Sequence, residues 1–219
     1  MKIYLALPEA TRKTPAIVLA SAIFGVDADI RRMADEFAAR GFIAAAPDLF
    51  WREGSGALPM GDERASKRAE PRLERIKAGE ADLADVLAFV RKQPLFNGRA
   101  AVIGYCYGGP YAILGPGRLG YDAGISCHGS QMLDFMGELD GIGKPVCLLW
   151  GDKDNRAPPE VLDAYRAAAS RMGHLELHIF PGVLHGYMMR GHAKAFDERA
   201  YDFSMSRAVA ILEELRGST

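Results

Sequence analysis

The sequence predicts an α/β fold, with a mostly parallel central sheet and helices on both of its faces. Two observations support this prediction. Short apolar runs alternate along the chain with stretches of helical periodicity, as in sheets whose strands are joined by crossover helices. The 219 residues also suffice to bury a three-layer core. Because no linker-like or low-complexity stretch divides the sequence, we expect one domain over residues 1–219.

Seven apolar runs are the candidate strands, and the first of them is expected at an edge of the sheet. Near-continuous apolar character is typical of strands that are buried on both faces of a parallel sheet. The runs cover residues 2–7, 17–20, 42–46, 101–103, 123–127, 146–150 and 175–180.

Four stretches are the candidate helices, because most of them place apolar residues at the spacing of one helix face. The first is expected to begin after an aspartate N-cap, either Asp27 or Asp29, and to end at Gly41. The third is expected to end at Gly173. The four are Ile30, Met33, Ala34, Phe37 and Ala38; Leu83, Val86, Leu87 and Val90; Val161, Leu162, Tyr165, Ala169 and Met172; and a last helix over residues 196–215.

One stretch departs from this alternation. Residues 62–77 are dense in charges of both signs and are interrupted by Pro71. Such a composition is typical of a solvated segment with a short helix. Loops at the carboxyl ends of strands also carry the sites of open α/β sheets, so region 52–78 is alternatively a flap over the active site.

The composition narrows the possible partners and the location. A formal net charge of −1 gives no overall attraction to nucleic acid or to an anionic membrane. The first residues lack the apolar region of a signal peptide, and no run is long enough to cross a bilayer. Three cysteines, Cys106, Cys127 and Cys147, are too few for a disulfide framework or a zinc knuckle. We expect a cytoplasmic protein with reduced thiols, a monomer or weak homo-oligomer without metal or cofactor.

The hexapeptide Gly-Tyr-Cys-Tyr-Gly-Gly at residues 104–109 contains the candidate nucleophile. It follows an apolar run and precedes residues that can start a helix. A reactive side chain between glycines at a strand-to-helix turn is the nucleophile elbow of α/β-hydrolases, here with Cys106 where serine usually stands. Gly104 and Gly108 lack the Cβ atoms that would collide in so sharp a turn. A helix N-terminus at this point would also favour the thiolate over the thiol.

A cysteine nucleophile needs a histidine to take its proton and a carboxylate to orient that histidine. In this fold the partners follow in the order nucleophile, acid, histidine, each after a strand. The turn after the sixth candidate strand offers Asp152 and Asp154, and either aspartate fits. The loop after the last strand offers His185. His128 also follows a strand on this side and is a candidate pocket residue.

With these residues the chain resembles the dienelactone hydrolase family, the carboxymethylenebutenolidases. The similarity extends from residue 17 to the last helix. The segments that carry it are Ile-Phe-Gly-Val at 23–26, Ala-Pro-Asp-Leu-Phe at 46–50, the elbow at 104–109, Gly-Asp-Lys-Asp at 151–154 and Leu-His-Gly-Tyr at 184–187.

The resemblance implies a triad of Cys106, His185 and Asp154. It favours Asp154 because the family's acid is the last residue of Gly-x-x-Asp. It also implies an oxyanion hole made of the backbone N–H groups of Tyr107 and Ile23. The expected function is therefore hydrolysis of a lactone or small activated ester through a thioester acyl-enzyme.

The sequence also departs from the family pattern. Family members typically carry a glutamate just before Ile-Phe-Gly-Val, and the resemblance implies that this carboxylate restrains the cysteine until substrate binds. This chain has Ala22 there, so that restraint cannot operate. Of the two family arginines that grip a substrate carboxylate, one would fall near Arg64. The other position is Met189 here, with Arg190 next to it.

These departures leave other functions open. A broad carboxylesterase or thioesterase is the nearest alternative, and a redox-responsive binding protein without catalysis is a more distant one. For the pocket we expect Phe24, Trp51 and Tyr187 as apolar walls. Arg64 and Arg190 are the candidates for binding a substrate anion.

Overall fold

The computed structural model describes residues 1–217, so residues 218 and 219 of the predicted domain lie outside the described residues. It contains a seven-stranded sheet in the order β1-β3-β2-β4-β5-β6-β7. The strands are β1 (Ile3–Ala6), β2 (Thr14–Ala20), β3 (Ile43–Pro47), β4 (Phe96–Tyr105), β5 (Ala123–Cys127), β6 (Val146–Gly151) and β7 (Leu175–Phe180).

Strand β1 lies at one edge of the sheet and pairs antiparallel with β3, whereas every other pair is parallel. The predicted mostly parallel sheet is thereby confirmed. Strand β4 is much longer than the apolar run at 101–103. After the buried Phe96, the residues Asn97 to Arg99 are not apolar and are partly or fully exposed, so hydrophobicity marks only the continuous buried portion.

Six α-helices connect the strands of the described chain. They are α1 (Ala28–Ala39), α2 (Glu63–Arg68), α3 (Arg72–Val90), α4 (Tyr111–Leu114), α5 (Glu160–Ala169) and α6 (Glu198–Gly217). Asp27 is the N-cap of α1, because its Oδ1 accepts a hydrogen bond from the backbone N–H of Ile30 at 3.0 Å. Asp29 lies inside the helix and accepts from the N–H of Gly191 instead.

The sheet separates two hydrophobic cores, as the prediction of helices on both faces requires. Helices α1 and α6 pack on one face, while α3, α4 and α5 pack on the other. None of the helices within residues 1–217 is long and apolar enough to cross a membrane.

The parallel strands all point their carboxyl ends toward one edge of the sheet. The loops that begin there follow Ala20, Pro47, Tyr105, Cys127, Gly151 and Phe180. Every sequence segment with candidate chemistry lies in one of these loops. Parallel topology alone therefore brings together residues that are up to 160 positions apart.

The charged stretch at 62–77 forms α2 and the first turns of α3. Its outer side chains are exposed, as expected for a solvated segment with a short helix. Arg68 at the end of α2 is an exception, since it is only 6% exposed.

Helix α3 packs directly against the helix that follows the elbow. Gly79 faces Tyr111, whose hydroxyl donates a hydrogen bond to the carbonyl of Ile76 at 2.9 Å. A Cβ atom on Gly79 would collide with that hydroxyl oxygen. The glycine in the middle of α3 is thus required by packing against α4.

We expect Gly79→Ala to lower the free energy of unfolding by about 1–3 kcal/mol, because the added methyl overpacks this contact. This loss occurs although alanine favours an exposed helix by about 1 kcal/mol over glycine. Urea denaturation measures it. Gly137→Ala is the control, since the described residues leave open space around that Cβ position. A Gly79→Ala protein as stable as wild type would contradict the prediction.

Candidate active site

The elbow is a tight turn at the end of β4. Cys106 has a φ of +51°, a conformation that costs a non-glycine residue about 1–3 kcal/mol and is typical of functional sites. A Cβ on Gly104 would collide with the carbonyl oxygen of Gly108, and a Cβ on Gly108 would collide with that of Ala20. Glycine is therefore necessary at both positions, as the sequence indicates.

The helix after the elbow is shorter than the sequence suggests. A single 3₁₀ turn over Cys106–Gly108 leads into the four residues of α4, followed by a wider turn at Gly115–Leu119. So short a helix has a weak dipole, because the dipole is the sum of aligned peptide units. The charges around the sulfur must therefore come mainly from side chains.

The loops after β6 and β7 place a carboxylate against an imidazole. Asp154 Oδ2 lies 2.7 Å from His185 Nδ1, and the side chain of Asp154 is fully buried. The other oxygen of Asp154 accepts the backbone N–H of Arg156 at 2.8 Å. Nδ1 of His185 faces the carboxylate, and the His185 ring and the Cys106 sulfur are close enough for each to shift the pKa of the other.

The neighbouring aspartate has a different role. Asp152 Oδ1 accepts the backbone N–H of Gly182 at 2.7 Å, which ties the turn after β6 to the loop after β7. Of the two aspartates that spacing left open, only Asp154 contacts His185. The structure therefore brings together Cys106, His185 and Asp154.

The sulfur has a further polar neighbour that the sequence reasoning missed. Ser130 Oγ lies 4.0 Å from Cys106 Sγ, and the Ser130 N–H donates to the Cys106 carbonyl at 2.8 Å. Arg72 Nη1 donates to Ser130 Oγ at 3.4 Å, which brings a cation into the same group. The position of Ser130 two residues after His128, in a loop after a strand, was the available signal.

The electrostatics of this group favour an ionised pair. Burial acts to raise the pKa of the Cys106 thiol, but the charge and hydrogen bond of His185 outweigh it, and Arg72 and Ser130 add to the lowering. For His185 burial acts to lower the pKa, yet the Cys106 thiolate and Asp154 raise it to about 10. Each charge therefore stabilises the other, which lowers the pKa of the Cys106 thiol and raises that of His185.

His128 lies directly beside this pair. Its ring meets that of His185 edge-on at 5.0 Å and that of Tyr187 at 5.2 Å, and it is 1% exposed. Burial, and then the nearby charge of His185, hold the pKa of His128 well below its ordinary range. His128 is therefore a neutral wall of the site that supports the ring of His185, and it also lines the cavity as predicted.

A cavity of about 550 Å³ opens onto the Cys106 sulfur. Its apolar walls include Ile23, Phe24 and Met189. Its charged lining consists of the cations Arg72 and Arg156 and the acids Asp62 and Glu63, and all but Arg156 belong to the segment after β3. This size suits a small molecule.

Two of the three predicted apolar wall residues lie elsewhere. Phe24 lines the cavity, but Trp51 points away from it and donates its Nε1–H to Asp82 at 3.3 Å. Tyr187 is fully buried behind His128, where its hydroxyl is hydrogen-bonded to that of Ser204 at 2.9 Å. The predictions for Trp51 and Tyr187 are wrong because both side chains have partners outside the cavity.

The predictions that Arg64 and Arg190 bind a substrate anion are also wrong. Arg64 is 72% exposed at the side chain and is paired with Asp62 at 2.6 Å. Arg190 lies over the rings of Phe196 and Tyr201. Arg72 and Arg156 occupy the cavity in their place.

Two more residues line the cavity, Ala22, at which the sequence departs from the family pattern, and His192. Ala22 lines the cavity where family members carry glutamate, so no carboxylate from that position faces the sulfur. His192 also lines the cavity, and the sequence analysis did not single it out. Its backbone N–H donates to the carbonyl of Met189, which folds the loop back onto the site.

Outside the cavity, Cys147, Glu176 and His178 place their ligand-type atoms within 4.8 Å of one another. This group was not expected from the sequence. Arg207 forms two hydrogen bonds to Glu176 at 2.6 and 2.7 Å, so the carboxylate is already neutralised by a cation. The arrangement is accounted for as an ion pair between β7 and α6, with Cys147 buried beneath it.

The fold and the elbow define the class of protein, which is an enzyme of the α/β-hydrolase fold. A sequence profile of the dienelactone hydrolase family matches residues 1–215. The chain therefore belongs to the dienelactone hydrolase family, and it is a hydrolase of ester or lactone bonds.

Similar proteins of known name or structure agree with this placement. Carboxymethylenebutenolidase 1 of Cupriavidus pinatubonensis is 30% identical over 216 residues, covering 97% of this chain and 91% of that protein. A putative dienelactone hydrolase from Klebsiella pneumoniae superposes with a TM-score of 0.78 at 22% identity, covering 96% of this chain and 92% of that one. A dienelactone hydrolase-like promiscuous phosphotriesterase from metagenomic libraries gives 0.82 at 18% identity, with coverage of 97% and 92%. The structural likenesses show the shared fold.

The ionised pair predicts selective alkylation of Cys106 by iodoacetamide. Because thiolate is the reacting form and its fraction rises with pH through the pKa, a lowered pKa moves the half-maximal rate to lower pH. We expect that midpoint below the value of about 8.5 for a free cysteine. His185→Gln removes the stabilising charge and moves the midpoint upward. Mass spectrometry of the labelled peptides measures these rates.

Cys127 and Cys147 serve as internal controls. Both are buried, and burial raises the pKa of Cys127 to about 12 and that of Cys147 further. We expect neither to react in the folded protein. Equal labelling of all three cysteines, or an unchanged midpoint in His185→Gln, would contradict the ionised pair.

Proposed function

We propose that this protein hydrolyses a lactone or a small activated carboxylic ester through a Cys106, His185 and Asp154 triad and a thioester acyl-enzyme. The observation that carries the proposal is the His185 ring, which is bonded to the buried Asp154 carboxylate and lines the same cavity as the Cys106 sulfur. This cavity admits a small substrate.

In the first half-reaction the Cys106 thiolate attacks the substrate carbonyl carbon and forms a C–S bond. The oxyanion that develops is stabilised by the backbone N–H groups of Tyr107, in the turn after the nucleophile, and Ile23, in the turn after β2. When the intermediate collapses, the C–O bond breaks and the His185 imidazolium gives its proton to the leaving alkoxide. For a lactone that alcohol stays attached to the acyl chain.

In the second half-reaction water replaces the sulfur. Neutral His185 takes a proton from water, and the hydroxide attacks the thioester carbonyl. The C–S bond then breaks, the thiolate leaves, and the imidazolium that remains restores the resting pair. Asp154 stabilises the imidazolium throughout and keeps the ring in its orientation.

A cysteine nucleophile limits the substrates. A thiolate leaves more readily than an alkoxide or an amide nitrogen, so intermediates on unactivated substrates return to the starting state. Strained lactones, aryl esters and thioesters contain a reactive carbonyl group or a good leaving group, so their intermediates go forward to the acyl-enzyme. Peptide amides do not.

The names of the relatives suggest a particular lactone. Carboxymethylenebutenolide carries a carboxylate, and Arg72 and Arg156 on the cavity wall supply cations for it. Asp62 and Glu63 on the same wall oppose such an anion, and this observation favours a broader carboxylesterase or thioesterase as the second candidate. The location in the cytoplasm and the state of a monomer or weak homo-oligomer stay predictions.

Pre-steady-state hydrolysis of p-nitrophenyl acetate tests the acyl-enzyme. We expect a burst of p-nitrophenol equal to the enzyme concentration, because acylation by an ionised thiol precedes slower thioester hydrolysis. The burst should vanish in Cys106→Ala. Asp154→Asn should lower kcat/KM by on the order of 10²-fold or more, since the histidine loses its charged partner.

Asp152→Asn is the matched control, because Asp152 is in the same turn and its side chain bonds only the Gly182 backbone within residues 1–217. We expect it to retain the burst. If wild type gave no burst while Cys106 was oxidised reversibly, the protein would be a redox-responsive binder instead.

Arg72 should discriminate between anionic and neutral substrates. In Arg72→Met we expect the ratio of kcat/KM for an anionic lactone to that for a neutral aryl ester to fall by about 10-fold, the effect of one lost charged hydrogen bond. The ratio cancels any loss of thiolate stabilisation, since both substrates need the thiolate. Lys77→Met, an exposed cation on the same helix, is the control. An unchanged ratio would exclude Arg72 as the anion site.

A further inference from the structure

Arg68 is a buried cation without an ion pair. It is 6% exposed, and its guanidinium lies within 4.0 Å of no carboxylate oxygen in residues 1–217. Burial lowers the pKa of Arg68 from its ordinary value, although a guanidinium remains charged at any physiological pH. Burying a cation in this way is costly unless its hydrogen bonds compensate.

The hydrogen bonds of Arg68 go to backbone carbonyls of two loops. Its Nε and Nη2 donate to the carbonyl of Ile23 at 3.0 and 2.8 Å. Its Nη1 donates to the carbonyl of Gly56 at 2.8 Å. The guanidinium carbon also lies 4.4 Å from the centre of the Phe50 ring. Arg68 therefore joins the turn after β2 to the segment after β3.

The turn that Arg68 contacts is the one that carries the Ile23 N–H. The N–H of Gly25 donates to the carbonyl of Ala22 at 3.0 Å, which closes a β-turn with Ile23 and Phe24 at its centre. The central peptide of this turn carries the Ile23 carbonyl and the Phe24 N–H, and Arg68 holds that carbonyl with two donors. The Ile23 N–H belongs to the preceding peptide, whose Ala22 carbonyl closes the turn. The Ile23 N–H therefore keeps its direction while the turn stays closed, and the Arg68 donors fix the backbone dihedral angles of Ile23 on which that closure depends.

Every carbonyl of this turn is thereby held. Ala22 O is bonded within the turn, Ile23 O is bonded by Arg68, and Phe24 O accepts the N–H of Leu58 at 2.9 Å. Gly25 has a φ of +77°, and a Cβ there would lie 2.9 Å from Arg68 Nη2. Glycine at this position therefore serves both the turn and the approach of the guanidinium.

We propose that Arg68 is a positioning residue that holds the turn of Ala22 to Gly25 in the conformation in which the Ile23 N–H faces the substrate oxyanion. The inference rests on the proposed function. It also assigns a role to the charged segment after β3. Through Arg68 and Leu58 this segment is hydrogen-bonded to the turn that carries the Ile23 N–H.

Two rates in the same protein separate this role from a general structural one. Acylation by p-nitrophenyl acetate requires the oxyanion hole, whereas alkylation of Cys106 by iodoacetamide requires only the thiolate. In Arg68→Met we expect the acylation rate constant to fall by on the order of 10- to 100-fold, as a misplaced donor would cause. Alkylation and its pH profile should stay within about 2-fold of wild type, because the variant leaves the thiolate pair intact.

Lys67→Met is the matched control, since Lys67 is the adjacent cation of the same helix and is exposed. We expect wild-type rates for both reactions. Arg68→Lys keeps the charge and most of the stem but has only one donor centre for two loops, so an intermediate acylation rate is expected. Arg68→Lys also carries the test if Arg68→Met does not fold. Ethylguanidinium added to Arg68→Ala should restore acylation and leave alkylation unchanged.

The outcomes distinguish the two proposals. A wild-type protein without a burst would overturn the proposed function itself. A wild-type burst with full acylation in Arg68→Lys and Arg68→Met, or a parallel loss of acylation and alkylation, would overturn only the role of Arg68.

Discussion

The close approach between the elbow and the end of β2 is the constraint on which the site depends. The backbone of Gly108 rests against the Ala20 carbonyl so tightly that no Cβ fits between them. Because β2 and β4 are parallel neighbours, this contact also sets Cys106 beside the turn of Ala22 to Gly25. The nucleophile and both proposed oxyanion donors are thus brought together by backbone packing. Side chains then supply the charge and the orientation.

That charge is distributed differently from the family pattern. The family glutamate before Ile-Phe-Gly-Val would place a negative charge on the cavity wall, and a negative charge opposes ionisation of a thiol. With Ala22 there, the groups around the sulfur are the His185 ring, the Arg72 cation and the Ser130 hydroxyl. All three favour the thiolate. The pKa of the Cys106 thiol is therefore lowered, and the restraint that the resemblance implies for the family has no counterpart at position 22.

The sequence predicted those features whose causes are local. The alternation of strands and helices, the glycine spacing of the elbow and the position of His185 after a strand each depend on a few neighbouring residues. Spacing alone left Asp152 and Asp154 open, because both lie in one polar turn, and it was the family resemblance that favoured Asp154, the residue that contacts His185. The predicted positions of Trp51 and Arg64 in the cavity were wrong for a similar reason. In a segment without periodicity, the direction of a side chain depends on its hydrogen-bond and ion-pair partners. The sequence does not identify these partners, because they lie far along the chain or are one of several residues with the same charge.

The same argument explains why the charged segment after β3 could be interpreted either as solvated or as a flap. Its composition reflects the exposed side chains, which outnumber the inward ones. The decisive residue is Arg68, and composition does not distinguish a buried arginine from an exposed one. Because the guanidinium is bonded to carbonyls of two loops, swinging this segment away would break these charged hydrogen bonds, each of which contributes about 1.5–3 kcal/mol. This segment is therefore a cavity wall that is bonded to the turn after β2. Under the proposed function, selectivity for small activated esters follows from the size of this cavity and from the leaving ability of the thiolate.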